Sequence, residues 1–397
     1  MILRQAYKYR LQPTANQHKL FSQYAGCCRL VWNHMLNLQK AIKDKGLEPL
    51  SYNTMAGNLP VWKQSDELSF LKDCPSQALQ QTLMNLDRAI KDANNPRDEK
   101  EFPVFKKRGK KDSFRYPQGF RVEEHNKRVF LPKVGWVSYR RCQKLEGRPK
   151  NVTIIKENDQ WYAAIQTELD VKEPVNLNTS IVGLDLGVKR FYTDSKGHYI
   201  EPIHQLDELD KRIAYHQRRA DRKQKGSKNQ KKTYRFIGRL HAKKANIRKD
   251  TLHKLTTTLS KNHAAVVIEN LQVKRMAKRK GKYKANLNRC ILNQGFGEFK
   301  RQLSYKLERL GGLLVLVNPM NTSRRCPKCG YVDKDNRKTQ SEFKCRECSY
   351  EEHADLVGAL NVLRAGHAQL ACGPWVGGSF PTTAGRKQEP ALTLAFS

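Results

Sequence analysis

Acidic residues are scarce in this sequence of 397 residues: 38 Asp and Glu stand against 75 Lys and Arg, a formal net charge of +37. Lysines placed only for solubility rarely reach such an imbalance, so a polyanionic partner is expected, nucleic acid first. Long apolar runs are also missing. GGLLVLV at 311–317 falls far short of the ~20 residues that span a bilayer. No amphipathic helix of the kind that lays basic residues on lipid is evident. Membrane spanning is therefore excluded. The opening MILRQAYKYR carries charges and no apolar h-region, so no secretory signal is expected. No Ser-His-Asp motif, P-loop, dinucleotide fingerprint or internal repeat stands out. The ten cysteines, without an export signal, suggest a reducing compartment, where clustered cysteines mean metal or catalysis. The length suits two to four domains at ~100–200 residues each and needs no disulfide framework to bury a core.

What is present falls into two kinds of pattern. AYKYRL at 6–11 alternates like a short strand, and Thr14 opens a helix, since T-A-N-Q has the form of a capping box. Leu20, Phe21, Tyr24, Cys28, Val31 and Trp32 follow at helical spacing, as do Leu79, Leu83, Leu86 and Ile90 across 76–93. FPVFKKRGKKDSFRYP at 102–117 reads as a Pro-bounded loop mixing lysines with Phe102, Phe105, Phe114 and Tyr116. From about 120 to 170 the pattern is of strands (RVFLP, VGWVSY, NVTII, QWYAAIQTEL), which fits a small antiparallel sheet or barrel. A new unit begins near 180. IVGLDLGVKRFYT is a buried strand with a hairpin partner, HAAVVIEN at 263–270 a second buried strand and LLVLV at 313–317 a third. Between them, 207–262 is a long basic helical segment, and Phe296, Phe299, Leu303, Leu307 and Leu310 mark an amphipathic helix. A last helix starts at 354, and the Gly-, Pro- and Thr-rich residues 373–397 are expected to be a disordered tail.

Two constellations carry chemistry. Cys326, Cys329, Cys345 and Cys348 form two C-x2-C pairs separated by fifteen residues. Four thiolates so spaced can surround one zinc ion tetrahedrally and leave no open position, so the zinc would be structural. The remaining six cysteines read as packing residues. The second constellation is acidic. Asp185 interrupts the apolar run IVGLDLG, Glu269 ends AAVVIE, and Asp355 opens the last helix. A lone buried carboxylate costs several kcal/mol unless compensated. Asp185 could pair with Lys189 or Arg190, Glu269 with a basic helix, and Asp355 could complement a helix dipole. Alternatively the three converge on divalent cations, and two magnesium ions ~4 Å apart suit phosphodiester hydrolysis.

GLDLGVKRFYT, VVIENL, the cysteine insert and HADLVGALNVL occur in the order seen in the TnpB family. YKYRLQPTANQ, PSQALQQTLMNLDRA and FPVFKKRGKKDSFRYP are also similar to it, so the resemblance covers nearly the whole chain. The family consists of transposon-encoded, RNA-guided DNA endonucleases related to type V CRISPR effectors. The resemblance implies a multidomain α/β and α+β chain. Its RuvC-like, RNase H-fold nuclease domain would occupy 176–372, with an inserted zinc ribbon at 321–352. A wedge-like β-barrel would be split between 1–14 and 102–175, around a helical recognition insert at 15–101. Carried over, the catalytic, magnesium- or manganese-holding acids fall on Asp185, Glu269 and Asp355. The implied partners are a guide RNA from the transposon end and a double-stranded DNA target beside a short adjacent motif. A cytoplasmic, nucleoid-associated prokaryotic protein is implied, with no membrane. This chain departs from the family at Asn270, where many members carry a second acid, and at Val357-Gly358, which replaces an Asn-Ala pair. Some relatives have lost catalytic acids and act as RNA-guided regulators; that alternative is separated by the acids, which are all retained here.

The basic segments then have a place. Residues 211–250 hold sixteen Lys and Arg against two Asp, and 271–290 hold eight with no acid. Such surfaces follow a nucleic-acid backbone without reading its sequence, and aromatics among lysines stack on unpaired bases. The candidate contacts are Tyr52, Gln77 and Gln80 in the helical insert, and Phe105, Lys106, Lys107, Arg108, Lys110 and Lys111 in the basic loop. Arg218, Arg219 and Arg222, with Arg275 and Lys278, complete them.

Overall fold

A computed structural model of the chain describes residues 2–96, 100–109, 111–277 and 282–372. The chain divides into two compact units, one of residues 2–173 with 213–243, the other of 174–212 with 244–372.

The first unit is built on strand β1 (Ile2–Gln12). Its alternation puts Tyr7, Tyr9 and Leu11 in the core and Lys8 and Arg10 outside, the period-2 signature of a half-buried strand. Helix α1 (Ala15–Asp44) follows, then α2 (Tyr52–Gln64) and α3 (Ser76–Asn94). The capping box at Thr14 is complete: the Gln17 backbone N–H donates to Thr14 Oγ1, and Thr14 N–H donates to Gln17 Oε1. Phe21, Tyr24, Cys28 and Val31 of α1 and Leu79, Leu83, Leu86 and Ile90 of α3 are buried, as their spacing requires. Six more strands complete a seven-stranded antiparallel sheet: β2 (Ser113–Tyr116), β3 (Arg121–Glu123), β4 (Arg128–Leu131), β5 (Gly135–Arg140), β6 (Arg148–Glu157) and β7 (Gln160–Asp170). Their order is β2-β6-β7-β1-β5-β4-β3.

Two features depart from the sequence reading. Helix α2 was not expected, because it buries only Met55 and Leu59 and contains Pro60. The basic loop also ends in a strand: β2 turns Phe114 and Tyr116 inward, where Phe114 meets Phe21 and Tyr24 at ring-centroid distances of 5.9 Å each. These two aromatics are core residues and are not available to stack on bases.

The second unit carries a five-stranded sheet. Strands β8 (Ile181–Leu186), β9 (Tyr192–Asp194) and β10 (Tyr199–Ile200) form an antiparallel meander. The chain then enters α4 (Gln205–Asp221) and α5 (Lys228–Asn262). Residues 222–227 break what the sequence suggested as one helical run, and Gly226 there takes a φ of +81°, open to glycine at little cost. Strand β11 (Ala265–Glu269) pairs parallel to β8. Helices α6 (Val273–Ala277), α7 (Lys282–Gln294) and α8 (Phe296–Arg309) lead to β12 (Leu313–Val317), parallel to β11. The cysteine-rich insert, with the hairpin β13 (Glu342–Lys344) and β14 (Glu351–His353), precedes α9 (Ala354–Ala371). Helix α9 lies directly on β8: a β-carbon at Gly183 would come within 2.5 Å of the Ala359 carbonyl oxygen. Lys110, Lys278 and the expected tail at 373–397 lie outside the described residues.

Candidate functional site

Parallel pairing of β8 with β11 places two of the acids. Leu184 sits opposite Ile268, so the next residue of each strand, Asp185 and Glu269, reaches the same end of the sheet. Asp355 joins them from the first turn of α9, where His353 is the N-cap and its Nδ1 accepts from the Asp355 N–H at 3.2 Å. Burial, then the negative charges of Glu269 and Asp355, push the Asp185 carboxyl up to about 7. The Arg337 guanidinium opposes that rise and lies 3.5 Å from Asp355 Oδ1. Glu269 is 9 % exposed and is raised by burial, against a hydrogen bond from the Thr322 hydroxyl at 2.5 Å. The ion pairs considered for Asp185 do not form: Arg190 lies over the Tyr199 ring, and among the described residues no salt bridge joins Asp185 to Lys189 or Arg190. Three carboxylates thus crowd one sheet end with a single opposing arginine. They are looser than the cysteine cluster, which among the described residues is the only group of such side chains with ligand atoms all within 4.8 Å. Hard carboxylate oxygens with uncompensated charge are the donor set that magnesium and manganese take.

The four cysteines do converge. Cys326 Sγ lies 3.6 Å from Cys348 Sγ, and Cys329 Sγ lies 3.5 Å from Cys345 Sγ, close to the ~3.8 Å edge that four Zn–S bonds of ~2.3 Å impose on a tetrahedron. Each pair sits on a tight turn, with Gly330 N–H donating to Cys326 O and Ser349 N–H to Cys345 O. The donor set fits zinc. Of the other cysteines, Cys27, Cys28 and Cys74 are buried, while Cys142 and Cys372 are exposed and do not pack as the sequence suggested.

The candidate nucleic-acid contacts are spread over both units. Tyr52 opens α2, half-buried against the core; Gln77 and Gln80 stand on the first turns of α3, Gln80 exposed. Phe105, Lys106, Lys107, Arg108 and Lys111 are exposed on the basic loop. That loop is pinned to α1: Trp32 Nε1 donates to Val104 O, and Asn33 bonds both backbone groups of Lys106. Lys106 Nζ lies 3.8 Å from the Trp32 ring centroid, and Lys40 Nζ 4.4 Å from that of Phe105. Phe105 also lines an open groove of about 550 Å³ with Arg29, Asn33, His34 and Asn37 of α1, none of which the sequence reading singled out. Arg218 and Arg219 are exposed near the end of α4, Arg222 just beyond it, and Arg275 on α6. At the acidic site the sequence did not point to Thr322, Arg337 or Asn361, and it marked Gly358 only as a departure from the family; their roles come from contacts across the fold that no local pattern announces.

Comparison with known proteins bears on the family and the fold. The family OrfB_IS605, described as "Probable transposase", matches residues 164–280. The "Cas12f1-like, TNB domain" matches 296–362 and a "Helix-turn-helix domain" matches 1–46, where the structure has strand β1 and the single helix α1. "Putative RNA-guided DNA endonuclease InsQ" of Escherichia coli (strain K12) is 45 % identical over 97 % of both chains. A "Putative RNA-guided DNA endonuclease" of Streptomyces pristinaespiralis is 32 % identical over 94 % of this chain and 91 % of its own. The protein chain in the cryo-EM structure of a Cas12f1-sgRNA-target DNA complex shares the fold, with a TM-score of 0.56 and 14 % identity over 91 % of this chain and 98 % of that one. With nearly full-length identity of this order and the ordered motifs in place, the chain belongs to the TnpB family.

Proposed function

We propose that this chain is an RNA-guided, metal-dependent DNA endonuclease encoded by an insertion sequence. The observation that carries the reading is the crowding of Asp185, Glu269 and Asp355 at one end of β8 and β11, in a chain 45 % identical to a relative named "Putative RNA-guided DNA endonuclease InsQ". An antiparallel meander followed by two parallel strands is the order expected of a RuvC-like domain of RNase H fold. The net charge of +37 suits a guide RNA transcribed from the transposon end and a DNA target beside a short adjacent motif, with base pairing reading the target. Work on the prokaryotic nucleoid follows from such a target; no described helix is long and apolar enough to cross a membrane.

Asp185, Glu269 and Asp355 hold magnesium or manganese in this reading. Bound there, the metal supplies an activated water and stabilises the leaving oxygen of the phosphodiester. The chain's own part is to hold the carboxylates still: Asp185 by its strand, Asp355 by the cap at His353, Glu269 by Thr322. Zinc on the four cysteines would be structural, since four thiolates close its coordination.

The test is a cleavage assay beside a target-binding assay at one salt concentration. Asp185→Asn, Glu269→Ala and Asp355→Ala should each abolish cleavage while RNA loading and target binding persist. Pairs should be no worse than singles, because groups acting as a unit are not additive. Near-parental cutting by folded, RNA-loaded Asp185→Asn protein would sink the assignment and leave the regulator reading.

A further inference from the structure

We propose that Thr322 is a positioning residue for Glu269, and that Asn361 of α9 locks Thr322 in place. This deepens the reading of the acidic site and rests on it. Thr322 stands in the segment that enters the cysteine cluster, four residues before Cys326, and is 8 % exposed. Its hydroxyl approaches Glu269 Oε1 at 2.5 Å and Pro319 O at 3.0 Å. A hydroxyl has one proton to give. The shorter contact lies in the range of hydrogen bonds to a charged oxygen, so the Thr322 hydroxyl donates to Glu269 Oε1.

Thr322 is itself held from behind. Asn361 Nδ2 donates to Thr322 O at 2.8 Å and to Arg325 O at 2.7 Å. Asn361 is 5 % exposed, and both amide protons are used, so its plane is fixed on the two carbonyls. Helix α9 also carries Asp355, six residues earlier. One buried amide therefore ties the helix of one acid to the residue that grips another. With Oε1 committed to Thr322, Glu269 presents Oε2 in a set direction. Partners of this kind, standing behind a metal ligand, typically change metal affinity about 10–100-fold when removed.

Thr322→Val keeps the shape and removes the hydroxyl. In RNA-loaded protein, the manganese concentration for half-maximal cleavage should rise about tenfold or more. Manganese binding, read by electron paramagnetic resonance against parental protein carrying the same RNA, should weaken in step. Zinc content and RNA loading should stay parental, and Thr322→Ser should restore the parental manganese requirement. Asn361→Ala should move the requirement the same way, with Asn361→Ser as the milder variant should Ala fail to fold; a parental requirement in a folded Asn361 variant would overturn the lock on Thr322. Glu269→Gln runs alongside. If Glu269→Gln is dead while Thr322→Val keeps parental manganese binding and requirement, the positioning role is wrong and the site reading stands. If Thr322→Val lowers the melting temperature without moving the requirement, Thr322 is structural only and the inference fails. If Glu269→Gln cuts normally, the site reading itself fails.

Discussion

Gly358 of α9 faces Asp185 of β8 so closely that a β-carbon on it would sit 2.7 Å from Asp185 Oδ2 and 2.9 Å from Cγ. The helix lies this close to the carboxylate with nothing projecting from that position, so any added side chain has to turn the Asp185 carboxylate aside. Gly358→Val puts a branched group where Asp185 now points. A displacement of ~1 Å at a reacting centre can cost ~100-fold in rate, so cleavage should fall by about that factor with RNA loading kept. Gly358→Ala should show a smaller loss, since only the end of a side chain has to turn. Parental cutting by Gly358→Val would mean that Asp185 need not stay where it is.

The crowding of charge makes a pH prediction. Asp185 rises from 3.8 to about 7 on folding, so between those values the folded state holds a proton that the unfolded state has lost. Stability must then fall as pH rises through that window, by up to ~1.4 kcal/mol per pH unit, and level off above it. In buffer free of divalent ions, Asp185→Asn should gain stability over the parent from pH 5.5 to 7, with the difference constant beyond. Comparing the two proteins cancels any change at the cysteines. A pH-independent difference in melting temperature would count against the shift.

For the cysteines the expectation is stoichiometric. About one zinc per chain should be found by elemental analysis. Cys326→Ser, Cys329→Ser, Cys345→Ser and Cys348→Ser should each lower zinc content and melting temperature together, because metal binding and folding are linked. Zinc-free protein that melts like the parent would refute the structural role.

Basic and aromatic side chains separate by salt. Arg218→Ala, Arg219→Ala or Arg222→Ala should weaken RNA binding and flatten its dependence on log salt by ~0.7 for each phosphate no longer neutralised. Phe105→Ala should weaken binding with the slope unchanged, as loss of stacking releases no counterion. Equal slopes throughout would remove the arginines from the interface.

Asp185 is legible in the sequence because a carboxylate inside an apolar run is costly, and so stands out wherever it is kept. The cysteine pairs are legible for a similar reason: their spacing is set by one ion. The α3 face shows through its helical period, and β8, β11 and β12 through short continuous apolar runs. Strand β2 does not, because four residues give two alternations and the lysines before it mask them. Helix α2 hides behind a weak apolar stripe and Pro60. Thr322 and Asn361 are ordinary polar residues until the fold brings them to partners 53 and 39 positions away, and no window of sequence can contain both ends of such a bond.

Strand β1 has a consequence in time. It leaves the ribosome well ahead of the strands it pairs with, since Ile2 sits opposite Asp170 and Arg10 opposite both Tyr162 and Arg140. At 5–20 residues per second, its partners arrive on the order of ten to thirty seconds later. Until then the strand has two open edges and a row of tyrosines that would favour pairing with another nascent chain. Lys8 and Arg10, alternating with those tyrosines, put charge on the opposite face of the waiting strand and so guard it against the wrong neighbour.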